Sequence, residues 1–158
     1  MRSIFLLSTL FVAASTSMAA PTDHYANDLA GLTGEIQQVR AMEEVCSERF
    51  PATAEANRQA VFNWRQQYSS FVSDIELRWE RWLLLKSNGD PRQHTAMVAW
   101  SQQLYESTRN EFRLRLMSDG LALFQQRCER YPLYLTSPRM NPESAHAAVV
   151  SRIRRVAQ

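Results

Sequence analysis

The chain has 158 residues with 18 basic and 16 acidic side chains, which is enough for a targeting segment and about one domain. A net charge this close to zero argues against a general nucleic-acid binder, which carries a strong basic excess. Lys86 is the only lysine, so the remaining basic residues are all arginine. Because arginine codons are rich in G and C, we interpret the source as a GC-rich bacterial genome.

The first 19 residues have the pattern of a secretory signal peptide. Arg2 is the only charge before Asp23, residues 4–14 are almost entirely apolar, and Ser17 and Ala19 provide the small residues of a cleavage site. The alternative, an N-terminal membrane anchor, is disfavoured because the apolar stretch is shorter than the roughly 20 residues that span a bilayer. We therefore predict cleavage after Ala19, no transmembrane anchor, and a periplasmic or secreted protein.

Residues 20–158 are predicted to form a single all-α domain. Apolar residues recur there in steps of three and four, and no segment alternates convincingly between polar and apolar residues. We expect an elongated antiparallel bundle of three main helices, at residues 28–50, 52–88 and 91–130, plus a short C-terminal helix that begins at Asn141-Pro142-Glu143 and runs to the end of the chain.

Each main helix has a predicted buried face. In the first helix this face is Leu29, Leu32, Ile36, Val39, Met42, Cys46 and Phe50; in the second it is Val61, Trp64, Tyr68, Phe71, Ile75 and Trp82; in the third it is Met97, Trp100, Leu104, Phe112, Leu116, Leu123, Phe124 and Cys128. Arg78 interrupts the second pattern, and we expect it to pair with Asp74 on the surface. Gly120 weakens the third helix, where we expect a kink rather than a break.

Two connections follow from glycine and proline. Gly89 is a good helix C-cap and Asp90-Pro91 a good helix start, so residues 87–90 are predicted to form a tight turn. Residues 131–141 contain two prolines and precede a third, Pro142. Since proline favours extended conformations before it, this segment is predicted to be an extended connector.

Cys46 and Cys128 are predicted to form a disulfide bond, as expected for a cysteine pair in an exported protein. The alternative is two separate buried thiols. Helices joined by short turns run antiparallel, so the C-terminal ends of the first and third helices should meet. Each cysteine lies about one turn before a proline-terminated helix end, at Pro51 and Pro132, so both should lie at the same height.

The predicted helix lengths differ. The first helix would be about 34 Å long and the second about 54 Å, which leaves an overhang of roughly 20 Å. The overhang carries the candidate interaction surface Trp79, Trp82, Met97 and Trp100. Our first choice is that the C-terminal helix covers this overhang as a lid; the alternatives are a homodimer and a protein partner.

No sequence motif indicates a reaction, a cofactor or a metal. The three histidines, His24, His94 and His146, lack metal-ligand spacing, and Glu76 with Glu80 is better interpreted as a solvated helix face than as a catalytic pair. The leading hypothesis is an exported helical interaction protein with an unknown partner, such as an inhibitor, an immunity protein or an envelope accessory protein. The alternative is a small enzyme or ligand binder with a site inside the bundle, which a buried pocket joining Glu or His to an arginine would favour.

Overall fold

The computed structural model describes residues 23–156, and every regular element among them is helical. The helices are α1 (Asp23–Arg49), α2 (Ala54–Gln67), α3 (Ser69–Lys86), α4 (Pro91–Ser118), α5 (Leu121–Leu135), α6 (Pro142–Ala145) and α7 (Ala147–Arg155). Short 3-10 turns lie at Pro51–Thr53 and Pro138–Met140. The all-α prediction is therefore confirmed, and the predicted signal peptide lies outside the described residues.

Helix α1 is the centre of the bundle, since α2, α3, α4, α5 and α7 all pack against it. Its predicted apolar face is confirmed: the six residues from Leu29 to Cys46 in that set are buried, and Phe50 packs on the same core. None of the helices in residues 23–156 is both long enough and apolar enough to cross a membrane.

The predicted second helix is two helices that meet at Tyr68. The backbone there departs from helical values, with φ −108° and ψ 25°. Arg65 and Glu76 form an ion pair of 2.8 Å across this bend, although 11 residues of straight helix would separate them by about 16 Å. Glu76 is thus occupied by a structural ion pair.

The predicted third helix is broken, and the expected kink at Gly120 was wrong. Gly120 has φ 93° and ψ 149°, a conformation that side-chain-bearing residues avoid. The chain then reverses along α1. In α4, Tyr105 contacts Glu44 and Arg109 contacts Glu48, in the same order as α1.

Helix α5 contacts α1 in the opposite order. Phe124 lies on Phe50 with ring centroids 5.1 Å apart, and Cys128 bonds to Cys46. Tyr131 reaches Val39, still further back along α1. The predicted disulfide is confirmed, but the predicted parallel alignment of the two helices that carry it was wrong.

The predicted extended connector was also wrong at its start, because α5 continues through Pro132 to Leu135. Because Pro132 has no backbone N–H, the helix lacks one hydrogen bond near its end. Burial of Tyr131 and Leu135 on either side of Pro132 offsets this loss. The next turn is fixed by α2, since Trp64 Nε1 donates a 2.8 Å hydrogen bond to the Met140 carbonyl oxygen.

The predicted turn at residues 87–90 is confirmed. Gly89 has φ 74°, and the Asp90 carboxylate accepts hydrogen bonds from the backbone N–H groups of Arg92 and Gln93 at the start of α4. Asn141 caps α6 in the same way. The predicted last helix is divided at His146 into α6 and α7.

Arg78 was expected to lie on the surface, but its side chain is buried. Its Nε donates 2.8 Å to Asp74, and its Nη1 donates to the carbonyl oxygens of Ile153 and Val156 at the C-terminal end of α7. The Ile153 carbonyl oxygen also accepts the backbone N–H of Val156, and a cation suits the negative end of a helix. The guanidinium can therefore be buried, and it fastens α7 to α3.

Helix α7 covers the bundle near Asp28 and Arg78 and leaves the far end of the α3–α4 hairpin open. Arg152 forms a two-point ion pair with Asp28 of α1, which holds the pKa of that carboxyl below its usual range. Ile153 is fully buried. Beyond this contact Leu84, Leu85 and Trp100 are exposed.

Removing the disulfide should cost the domain much of its stability. The bridge closes a loop of 82 residues, for which the chain-entropy model gives roughly 4 to 5 kcal/mol. We expect the Cys46→Ala/Cys128→Ala variant to lose about that much free energy of unfolding in urea denaturation. A loss below about 1 kcal/mol, or two free thiols in the intact mass of the protein purified without reductant, would contradict the assignment.

Substituting Arg78 should loosen α7. Arg78→Met removes the charge-assisted hydrogen bonds to two helix-end carbonyls and should lower the free energy of unfolding by about 2 to 3 kcal/mol. Arg92→Met, on the exposed first turn of α4, is the control and should change it by less than about 0.5 kcal/mol. Equal losses in the two variants would show that Arg78 does not hold the helix.

Candidate functional site: a groove between α1, α4 and α5

A groove of about 510 Å³ lies where α1, α4 and α5 meet. Its floor is apolar and its rim is polar. The floor residues are Val39, Met42, Phe112, Leu116, Tyr131 and Met140; the rim residues are Glu35, Gln38, Gln126, Arg127, Arg130 and Tyr134.

The floor is part of the hydrophobic core. Val39, Met42, Leu116 and Tyr131 are buried, whereas Phe112 and Met140 are half-buried. Methionine side chains are flexible and polarisable, and they adapt to differently shaped apolar surfaces. The floor therefore presents an apolar surface that a ligand of variable shape can contact.

The α5 wall is fixed to the α1 wall by two contacts that flank the groove. The disulfide brings the Cα atoms of Cys46 and Cys128 to 5.4 Å. One turn further along α5, the Tyr131 hydroxyl donates a 2.8 Å hydrogen bond to the Val39 carbonyl oxygen. Burial raises the pKa of Tyr131, so the phenol stays protonated and keeps this bond. The α5 wall therefore has one defined position.

The α4 wall is fixed by a polar network on α1. Glu44 accepts hydrogen bonds from Arg40, at 2.6 Å, and from the Tyr105 hydroxyl, at 2.9 Å. Arg109 lies among three carboxylates, those of Glu44, Glu48 and Glu106. Burial, together with the hydrogen bond to Glu44, raises the pKa of Tyr105. Every charged side chain in this network lies beside one of opposite charge. The network therefore joins α4 to α1.

The rim differs because some of its charges are unpaired. Arg127 Nη1 lies 2.6 Å from the Asp119 carboxylate. Arg130 makes no ion pair with any residue of the described chain, and the same is true of Glu35 on the opposite wall. Arg127 and Arg130 are three residues apart on α5, so they share one helix face. The rim thus offers cationic donors on the α5 side and one carboxylate on the α1 side.

The predicted interaction surface lies elsewhere, and the structure divides it. Trp79 and Trp82 are stacked at 5.1 Å and half-buried between α3 and α4, and Trp79 Nε1 donates to Ser101 Oγ at 3.2 Å. Met97 is half-buried, and Trp100 is 46% exposed. Of the four, only Trp100 is exposed.

The open end of the α3–α4 hairpin is here named the hairpin tip. Its members are large apolar side chains exposed on either side of the turn: Leu84, Leu85, Val98, Trp100 and Leu104. The predicted burial of Trp100 and Leu104 was wrong, as was that of Leu123 on α5. Tyr105, which the apolar pattern omits, is the buried residue that faces α1.

The groove itself was not predicted. Met42, Phe112 and Leu116 were expected only as core, and Tyr134 and Met140 fell in the presumed connector. The one local signal is the sequence Arg127-Cys128-Glu129-Arg130-Tyr131, in which two arginines flank a disulfide cysteine at a three-residue spacing. Their position at a groove depends on the reversal at Gly120, which is not visible in the local pattern.

The three histidines are dispersed over α1, α4 and the junction of α6 with α7. Among residues 23–156, no group of three or more His, Cys, Asp or Glu side chains is arranged to hold a metal ion.

Comparison of the chain with protein-family models, with curated proteins and with solved structures gives no match.

Proposed function

We propose that the chain is an exported, non-enzymatic binding protein that holds an apolar ligand in the groove between α1, α4 and α5. The observation that carries this proposal is the apolar floor bordered by polar rim groups, of which Glu35 and Arg130 make no ion pair with any residue of the described chain. The volume of about 510 Å³ lies within the range of 300 to 1,000 Å³ typical of small-molecule sites. The groove differs from the buried pocket expected of a ligand binder with its site inside the bundle, because Glu35 and Arg130 are exposed at its rim.

The construction of the walls supports the same proposal. Binding costs less free energy when the site is already in its bound shape, because fewer side chains must be ordered. Here α5 is held by the disulfide and the Tyr131 hydrogen bond, and α4 by the Glu44 network. A cleft with walls fixed in this way needs little rearrangement to accept a ligand.

The N-terminal pattern and the disulfide support export. Arg2, the apolar stretch at residues 4–14 and the small residues before Ala20 are typical of a cleaved signal. A structural disulfide persists in oxidising compartments such as the bacterial periplasm. We therefore place the mature protein in the periplasm or outside the cell.

A second candidate function, interaction with another protein, is favoured by the hairpin tip. Trp100 and Leu104 lie four residues apart on one side of α4, and both are about half exposed. Clusters of exposed apolar side chains commonly mark protein–protein contacts, and tryptophan is prominent among residues that dominate such contacts. The partner is a second copy of the chain or another envelope protein.

A neutral apolar fluorophore, N-phenylnaphthylamine, tests the groove. We expect the oxidised mature protein to bind it with micromolar affinity and Met140→Trp, which fills the half-buried end of the groove, to weaken binding at least fivefold. Met117→Trp is the matched control, since Met117 is exposed on α4 and does not line the groove. Fluorescence titration measures both dissociation constants.

Equal weakening by the two tryptophan substitutions, or no binding by the wild-type protein, would contradict the proposal. Circular dichroism of both variants verifies that the fold is intact. The Met140 backbone carbonyl that accepts from Trp64 is retained in the variant, so the local turn should be preserved.

The hairpin tip has its own test. Replacing Trp100 with glutamate should reduce any concentration-dependent association of the protein in sedimentation velocity, because a charge in an apolar contact opposes burial. Phe62→Glu, on the exposed side of α2, serves as control and should have no effect. A wild-type protein that is monomeric at all concentrations would exclude self-association through the tip.

A further inference from the structure

We infer that the ligand of the groove is a single molecule of a long-chain carboxylate. Its apolar chain lies on the groove floor and its acidic head lies at Arg127 and Arg130. This inference rests on the proposed function, since it names the chemical class of ligand for the same site.

The floor indicates the apolar part of the ligand. It is lined by aliphatic, thioether and aromatic side chains, which offer no hydrogen bond to a polar group lying over them apart from the Tyr131 hydroxyl. That hydroxyl is already used by the Val39 carbonyl oxygen. A polar molecule lying on this floor would lose its hydrogen bonds to water without replacement, so the floor selects an apolar chain.

The α5 side of the rim indicates the acidic head. Among residues 23–156, Arg127 donates only from Nη1, to Asp119, and none of the five N–H groups of Arg130 has a side-chain or backbone acceptor. Guanidinium groups bind carboxylates through paired hydrogen bonds in a fixed geometry. Because the two arginines share a face of α5, one carboxylate can accept from both.

The balance of hydrogen-bonding groups at the rim points the same way. Arg127 and Arg130 are donors only, whereas Glu35 is the only charged acceptor and lies on α1, across the groove. A cationic head at Glu35 would find one unpaired carboxylate. An anionic head at α5 finds the Arg130 guanidinium, which makes no ion pair within residues 23–156, beside that of Arg127, which also contacts Asp119. The anionic ligand is therefore favoured.

The alignment of the two walls lets one molecule reach both regions. Arg127 and Arg130 flank Cys128, which is bonded to Cys46, and Met42 lies one turn before Cys46 on α1. Arg130 also directly precedes Tyr131, whose hydroxyl bonds to Val39 in the floor. The cationic rim and the apolar floor are thus within about one helical turn of each other.

The test compares decanoate with decanol, which have the same chain length and differ in charge, by calorimetric titration of the oxidised mature protein below the micellar concentration of decanoate. We expect decanoate to bind several-fold more tightly than decanol. Arg130→Gln should weaken decanoate binding about three- to tenfold, a modest effect because the guanidinium is solvent-exposed, and should leave decanol binding unchanged.

Arg155→Gln is the matched control, because Arg155 is an exposed arginine on α7 that makes no ion pair within residues 23–156 and lies outside the groove. It should change neither affinity. If decanol binds as tightly as decanoate, or if the two arginine variants behave alike, the carboxylate inference is overturned while the groove is still an apolar binding site. If neither molecule binds, both the inference and the proposed function fail.

Discussion

The seam between α1 and α5 is the constraint on which the rest of the structure depends. Phe50 with Phe124, Cys46 with Cys128, and Val39 with Tyr131 are contacts in reverse order along the two helices. They define an antiparallel pair closed by a covalent bond whose two sulfur-bearing residues are fully buried. Any chain that satisfies this seam must turn back between α4 and α5, and Gly120 is the residue that permits it. The disulfide therefore has two effects. It restricts the unfolded chain, and by fixing α5 on α1 it determines which face of α5 packs toward α4.

The groove forms because α4 and α5 are each anchored to α1, on opposite sides of the floor. On one side the apolar seam and the disulfide fix α5; on the other, the carboxylates of Glu44 and Glu48 fix Tyr105 and Arg109 of α4. Neither α4 nor α5 can then move across the floor without breaking charge-assisted hydrogen bonds or the covalent bridge. An open apolar surface normally costs free energy and tends to close. Here the anchors keep α4 and α5 in place on both sides of the floor, and Arg130 and Glu35 at the rim make no ion pair with any residue that the structure describes.

Local features were predictable from the sequence and long-range ones were not. The buried face of α1, the turn at Gly89 and the caps at Asp90 and Asn141 depend on neighbouring residues alone, and the structure confirms them. Whether Gly120 bends or reverses the chain depends on what α5 then packs against, so periodicity could not decide it. The same limit explains why Trp100 and Leu104 were expected to be buried and Tyr105 was overlooked. Helical spacing predicts an apolar stripe, but which edge of the stripe is buried depends on the position of the partner helix. Arg78 was misplaced because its acceptors, the last carbonyls of α7, are 75 or more residues away.

The most direct measurement of the central claim, that the groove between α1, α4 and α5 binds ligand, is methyl NMR of the oxidised protein, residues 20–158, labelled at its methionines. Met42 and Met140 line the groove, whereas Met97 and Met117 lie outside it on α4. On titration with N-phenylnaphthylamine, the methyl resonances of Met42 and Met140 should shift in a saturable way with one dissociation constant, while those of Met97 and Met117 stay in place. Shifts confined to Met97 would indicate binding at the hairpin tip instead of the groove. The absence of any shift at Met42 and Met140 would contradict the account.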